Sequence, residues 1–321
     1  MRIIAGVAGL CFGFAVFAWA VEEVQRFDTD GDGTIDQWEY YVDGQLSRLE
    51  ADRNHDGQVD HWVTYQHGKP VQAEFAADGT GKVTQREVYN AQGEVERSEV
   101  DKNGDGIFEQ RVFYGLGKSL LRVEQDDNGD AKTDRWRHYQ EGKLLRVDLD
   151  TNHDGQADQW QHYLPGGALT LVEMDTTGNG NVDQRRRYKN GKLAVAEIDQ
   201  NGDGSPEQMI EYDAQERMAL VLQDLDPQGK ARTQMIYHAG ILVRSEFDTT
   251  GKGKIDQWLF YDARGNVVRA EYDRNGDGKP DQWEHFAAGQ RQPYKVERDT
   301  TGDGKADAIW EQEEASRSQR R

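Results

Sequence analysis

One cysteine and six prolines in 321 residues leave little material for several common designs. With Cys11 alone, no disulfide framework forms within the chain. The eight histidines show no metal-ligand spacing, and no serine sits in a nucleophile elbow. Lys and Arg number 39 against 59 Asp and Glu, a net charge of −20 that disfavours a nucleic-acid partner. Hydrophobic residues make up only 36%, and beyond residue 20 there is no long apolar run and no sustained helical period. A thick globular core is therefore not expected. Low hydrophobicity and high charge would suit a disordered chain, but eight Trp, thirteen Tyr and ten Phe at regular positions do not.

The first twenty residues are a different material. Met1 and Arg2 form a short basic segment, Ile3 to Phe17 an apolar one, and Ala18-Trp19-Ala20 places small residues at −3 and −1 of a cleavage site. This pattern predicts a signal peptide over 1–20, cut between Ala20 and Val21, with a retained anchor as the alternative. Cleavage removes Cys11, sends the chain to the periplasm or the exterior, and leaves nothing that would insert in a membrane.

What the chain has in abundance is one nine-residue pattern. Acidic or amide side chains occupy positions 1, 3 and 5, Gly position 6 and an acid position 9, as in DTDGDGTID from Asp28 to Asp36. Twelve copies begin at Asp28, Asp52, Ala76, Asp101, Asp126, Asp150, Asp175, Asp199, Asp224, Asp248, Asp273 and Asp299, a period of 24 to 26 residues. A repeat of that size is one supersecondary unit stacked many times. The repeat domain is read as 21–312, with a flexible tail over 313–321.

Between loops the sequence alternates as strands do. In the unit from Asp126, a first strand carries Trp136, His138 and Tyr139, Glu141-Gly142 marks a turn, and a second strand leads into Asp150. Asp-Gly and Asn-Gly pairs signal hairpins because both residues tolerate positive φ. Leu145, Val147 and Leu149 alternate with Leu144, Arg146 and Asp148, which gives one apolar face and one striped with charge. Tyr recurs at position 14 from Tyr41 to Tyr261, a column that would make a cross-strand aromatic ladder. The expected fold is all-β: a long antiparallel meander of about twelve strand-turn-strand units, coiled into a superhelical or shell-like sheet. The alternative is a six-bladed propeller of two units per blade. Position 11 reads Trp38, Trp62, Arg86, Arg111, Trp136, Trp160, a longer period that favours the coil.

The acidic loop is hard-cation chemistry. Calcium takes six to eight oxygens in a flexible shell, and side chains at 1, 3, 5 and 9, the position-7 carbonyl and water can supply them. Without a cation, carboxylates a few ångströms apart repel by roughly 1–4 kcal/mol per close pair. Full sets occur at Asp28, Asp30, Asp32 and Asp36; at Asp52, Asn54, Asp56 and Asp60; and at Asp126, Asn128, Asp130 and Asp134. They recur at Asp150, Asn152, Asp154 and Asp158, and at Asp273, Asn275, Asp277 and Asp281. Glu lengthens the ninth arm in Asp101, Asn103, Asp105 and Glu109 and in Asp199, Asn201, Asp203 and Glu207. Asp299, Asp303 and Asp307 complete the list, with Thr301 a neutral third ligand. The Asp175 loop is weak, and the copies at Ala76, Asp224 and Asp248 lack essential ligands. His55 and His153, at position 4, are expected to face solvent. Several Ca²⁺ ions are the only cofactor expected.

By pattern the loops match EF-hands, which also require flanking helices and a bidentate Glu at position 12. Glu39 and Glu284 stand there, but Val63, Val112, Gln161 and Leu259 do not fit. The DxNxDGxxD spacing instead resembles the strand-flanked calcium loops of integrin-type β-propellers, where the ninth residue closes the shell as Asp36, Asp60, Asp158 and Asp281 would. Thrombospondin type 3 repeats and dockerins are similar in the loop only. The second half of each unit, as in YKNGKLAVAEID, resembles bacterial YD-type repeats, which implies a long coiled β-sheet. Together these readings describe a non-catalytic calcium-binding scaffold or adhesion surface with a protein or glycan partner. The alternative is a carbohydrate-binding module using Trp38, Trp62, Trp136, Trp160, Trp258 and Trp283.

Overall fold

The structure, a computed structural model, describes residues 3–4, 22–76, 79 and 81–312. The expected cleavage site and the tail over 313–321 lie outside them. Ile3–Ile4 form a two-residue strand against Glu22–Phe27, with Ile3 opposite Val24. Among the described residues no helix is long and apolar enough to cross a membrane. The fold is all-β, and a three-residue 3₁₀ turn at Leu116–Lys118 is the sole helical piece described.

The chain divides into two compact units, residues 1–167 and 168–321. In the first, strands from Glu22–Phe27 to Gln159–Tyr163 each pair antiparallel with the next in the chain. The second does the same from Leu169–Met174 to Ala308–Glu311. Each is an open meander. Pairing runs unbroken past every fourth strand, so the four-stranded blades of a propeller do not form.

The variable period has a simple cause. Units of 24 residues, such as those from Asp28, Asp52 and Asp126, close with two-residue turns. In these both residues have positive φ: Asp43 (51°) with Gly44 (76°), His67 (51°) with Gly68 (75°), Glu141 (51°) with Gly142 (74°). That is the twist-matched geometry of tight hairpins. Units of 25 residues add one residue to the turn, which is tied by N–H bonds from Asn90 to the Glu94 carbonyl, Asp213 to Arg217 and Asp262 to Asn266. Meanwhile Oδ1 of Asn90, Asp213 and Asp262 accepts two further backbone N–H groups in each case. The Asp224 copy, expected to lack ligands, has become such a turn itself: Asp226 N–H reaches the Lys230 carbonyl at 2.9 Å.

Alternation separates the faces as expected. One buries small side chains, among them Val63, Ala73, Val147, Val172, Val221 and Ala270. Burying a Val fully is worth about 1.5–3 kcal/mol, so this face is a thin core. The tyrosine column lies here but builds no ladder of rings. Where position 12 is Glu or Gln the hydroxyl instead donates to it along the same strand: Tyr41 to Glu39 (2.5 Å), Tyr89 to Glu87 (2.7 Å) and Tyr163 to Gln161 (2.6 Å). Burial, then the Glu87 contact, pushes the Tyr89 hydroxyl far above the ordinary tyrosine value.

The opposite face is ionic. Glu99, buried, meets Arg86 at 3.1 Å, Arg97 at 2.9 Å and Arg111 at 3.9 Å. Glu50, Asp148, Glu246 and Glu297 likewise pair with Arg48, Arg146, Arg244 and Lys295. The tryptophans stand in this same row: Trp38 opposite Glu50, Trp136 opposite Asp148, Trp258 opposite Glu271. All six are half-buried; Trp62, Trp136, Trp258 and Trp283 each lie between two acids, and Trp38 lies between Arg26 and Glu50.

Candidate metal centres

The acidic loops line one edge of each meander, stitched by backbone bonds. The ninth residue donates its N–H to the residue before position 1, as Asp36 does to Phe27 at 3.0 Å. Its carbonyl accepts from the first residue of the next loop, as Asp36 does from Asp52 at 2.8 Å. Successive loops are therefore two strand spacings apart, about 10 Å.

Within a loop the four positions do different work. Position 1 is a clamp: Asp101 accepts from Gly104 N–H at 2.7 Å and Gly106 N–H at 2.8 Å, one on each oxygen. The same pair of bonds holds the loops at Asp28, Asp126, Asp199, Asp273 and Asp299. Asp52 and Asp150 clamp positions 5 and 6 instead. Position 9 accepts from the N–H of position 2, often with position 3: Asp60 from Arg53 and Asn54, Asp158 from Thr151 and Asn152, Asp281 from Arg274 and Asn275. Position-2 threonines add a hydroxyl, as Thr300 does to Asp307 at 2.6 Å. Positions 3 and 5 are exposed, and each caps the N–H two residues on. Asn103 accepts from Asp105, Asp105 from Ile107, and Asn201 from Asp203.

Position 6 has positive φ throughout, 93° at Gly33 and 96° at Gly106, which is why glycine recurs there. Ala131 adopts it at 69°.

Among the described residues three loops gather carboxylates closely enough for one ion. In each of the sets Asp28, Asp30 and Asp32; Asp101, Asp105 and Glu109; and Asp199, Asp203 and Glu207, ligand atoms lie within 4.8 Å of one another. In the two Glu-bearing loops the extra methylene lets the ninth carboxylate reach positions 1 and 5 while still accepting the position-2 N–H, Lys102 to Glu109 at 2.7 Å and Gln200 to Glu207 at 2.6 Å. The shorter Asp60, Asp134, Asp158, Asp281 and Asp307 stay on the backbone N–H groups. Asp52, Asn54, Asp56, Asp126, Asn128, Asp130, Asp150, Asn152, Asp154, Asp273, Asn275, Asp277, Asp299 and Asp303 hold their loops without forming a three-acid group. A carboxylate that accepts two N–H bonds keeps about two of its four acceptor sites. The donor set is all oxygen and carries several charges, so it fits calcium.

Sequence reasoning missed the role of the first and ninth acids as loop organisers. The Asp175 and Asp248 loops, weak or lacking as cation sites, fold the same way. Asp175 accepts from Gly178 (2.7 Å) and Gly180 (2.6 Å), and Asp256 from Thr249 (3.0 Å). The signal was present, since the first and ninth acids survive in both copies.

The position-4 histidines are exposed, as expected, and each also reaches the preceding loop. His153 Nδ1 lies 2.6 Å from Asp134 Oδ1 of the preceding loop, and His55 Nδ1 lies 3.3 Å from Asp30. Burial raises the Asp134 pKa, but hydrogen bonds from His153, Asp127 and Asn128 outweigh it and hold the group below its ordinary value. His153 is pushed up, chiefly by its Asp134 bond. The Asp134 contribution is present above pH about 4 and lost as pH falls through its lowered pKa, while that of His153 is present below about 6.5 and lost as pH rises through its raised pKa. In chelator, wild type is expected to gain melting temperature over His153→Gln most between those limits, which a pH series of melts would measure.

A family model described as EF hand matches residues 25–40. In the structure that span is strand, loop and strand, Glu22–Phe27 and Gln37–Val42 flanking the Asp28 loop. Glu39, at the twelfth position, is engaged on the sheet by Tyr41 and by Gln37 at 2.9 Å. No curated protein matches the chain. Among solved structures, accessory secretory proteins 1, 2 and 3 of Streptococcus pneumoniae are 14% identical at TM-score 0.23, covering 38% of this chain and 20% of that one. The GtfA/B complex bound to UDP and GlcNAc is 14% identical at 0.21, covering 37% and 23%. TcdB2-TccC3 without its hypervariable C-terminal region is 13% identical at 0.21, covering 87% and 16%. The chain thus spans less than a quarter of each, and likenesses at these TM-scores carry no argument.

Proposed function

We propose that this chain is an exported, non-catalytic calcium-binding β-repeat protein, a scaffold or adhesion surface whose ions stiffen the loop-bearing edge of the sheet. The observation that carries the reading is the convergence of Asp101, Asp105 and Glu109, and of Asp199, Asp203 and Glu207, in strand-flanked loops at the same place in the repeat. The open meander within each unit supports the YD-type likeness, with metal loops at alternate turns.

Calcium at millimolar concentration is expected to protect the loops from a protease that cuts within them, and chelator to restore cutting. Timed digestion with mass spectrometry of the fragments would show this. The exported form is expected to begin at Val21. Equal digestion with and without calcium contradicts the stiffening role, and an intact Met1 on exported chains contradicts the leader.

A further inference from the structure

We propose that the seam between the first two loops binds a borderline divalent cation such as Zn²⁺ through Asp30, Asp36 and His55. The ligand atoms of these three lie within 4.8 Å of one another, and the set spans two repeats. His55 Nδ1 is 3.3 Å from Asp30 Oδ2 and 3.7 Å from Asp36 Oδ2. Those separations are longer than a good hydrogen bond to a carboxylate but suit ligands of one small ion. Zinc bonds of about 2.0–2.2 Å to nitrogen and oxygen put the ligands of a tetrahedron about 3.4 Å apart. Imidazole is a poor calcium ligand and a good one for zinc, copper or nickel, so this seam differs in kind from the all-oxygen loops.

The other position-4 histidine provides the contrast. His153 sits 2.6 Å from Asp134, a direct hydrogen bond, and its second neighbour is the Asn128 amide nitrogen at 3.0 Å. An amide nitrogen does not ligate, so that seam is a hydrogen-bonded pair.

Asp36 is buried, which fixes one ligand, while Asp30 and His55 are part exposed and leave a fourth position open to water. Asp30 also belongs to the Asp28–Asp30–Asp32 group, so its carboxylate lies between a calcium-type and a zinc-type position. Asp30 and Asp36 also belong to the first calcium loop, so His55 is the ligand that tells the two ions apart.

The test titrates the chelator-stripped full chain with Zn²⁺ by calorimetry, with Ca²⁺ in a separate arm. Co²⁺ serves as an absorbing probe of tetrahedral geometry. Wild type should show a Zn²⁺ site that weakens about tenfold or more in His55→Asn and is unchanged in His153→Asn. Asn tolerates the left-handed backbone at both positions (φ 59° and 61°), so these variants keep the loop. Histidine ring signals of wild type provide a second readout, with His55 shifting on Zn²⁺ addition. Zn²⁺ binding unaltered in His55→Asn, or ring signals of His55 unmoved at saturation, overturns the proposal. Failure of the Ca²⁺ arm alone bears only on the calcium reading.

Discussion

Stripping divalent cations from the folded chain should lower its melting temperature by roughly 5–15 °C, and millimolar calcium should restore it. The size follows from mass action. Extracellular calcium modules bind with Kd about 10⁻⁴–10⁻³ M, so each site adds roughly 0.4–1.4 kcal/mol at 1 mM calcium. Eight full or partial ligand sets would add several kcal/mol across both compact units, comparable with the whole stability of a modest domain. Differential scanning calorimetry in EGTA and in calcium measures it. Magnesium should do much less, because it demands octahedral geometry and gives up water reluctantly. The change should be a shift of the transition rather than a switch of fold, since the Asp175 and Asp248 loops keep their shape with poorer ligand sets.

The second large effect separates two jobs that the sequence pattern merges. Asp101→Ala removes a buried carboxylate that holds two backbone N–H groups, and should cost about 2–4 kcal/mol even in chelator. Asp105→Asn keeps an oxygen to cap Ile107 N–H while removing one charge from the cation group. It should leave the chelated protein within about 0.5 kcal/mol of wild type and weaken calcium at that loop. Urea unfolding with and without calcium would resolve the pair. Similar losses for both variants in chelator would mean that the first acid does not organise the loop.

Much of this was legible in the sequence, for reasons that are local. A hairpin turn announces itself through residues such as Asp43-Gly44, whose backbone demands few others could meet. The two faces follow from alternation within one strand, as Val147 and Asp148 show by ending on opposite sides. What could not be read involves residues a full unit apart, or the direction of a side chain inside a loop. His153 reaches Asp134 nineteen positions away because backbone stitching sets successive loops side by side. Glu109 gathers with Asp101 and Asp105 where Asp60 does not gather with Asp52 and Asp56, a matter of one methylene. The tyrosine column was visible, but its hydroxyl bonds at Tyr41, Tyr89 and Tyr163 arise where position 12 is Glu39, Glu87 or Gln161, a carboxylate or amide acceptor the other tyrosine-bearing units lack. Acids at positions 1 and 9 suit a cation and a backbone clamp equally, so composition alone could not divide the roles.

The claim on which the account rests is that cations occupy the row of acidic loops. Calorimetric titration of the chelator-stripped chain with Ca²⁺, with bound metal counted by elemental analysis, tests it most directly. The account predicts several ions per chain, with loss of one on Asp105→Asn and a sheet spectrum unchanged throughout. A chain that keeps that spectrum and takes up no calcium at millimolar concentration would contradict it.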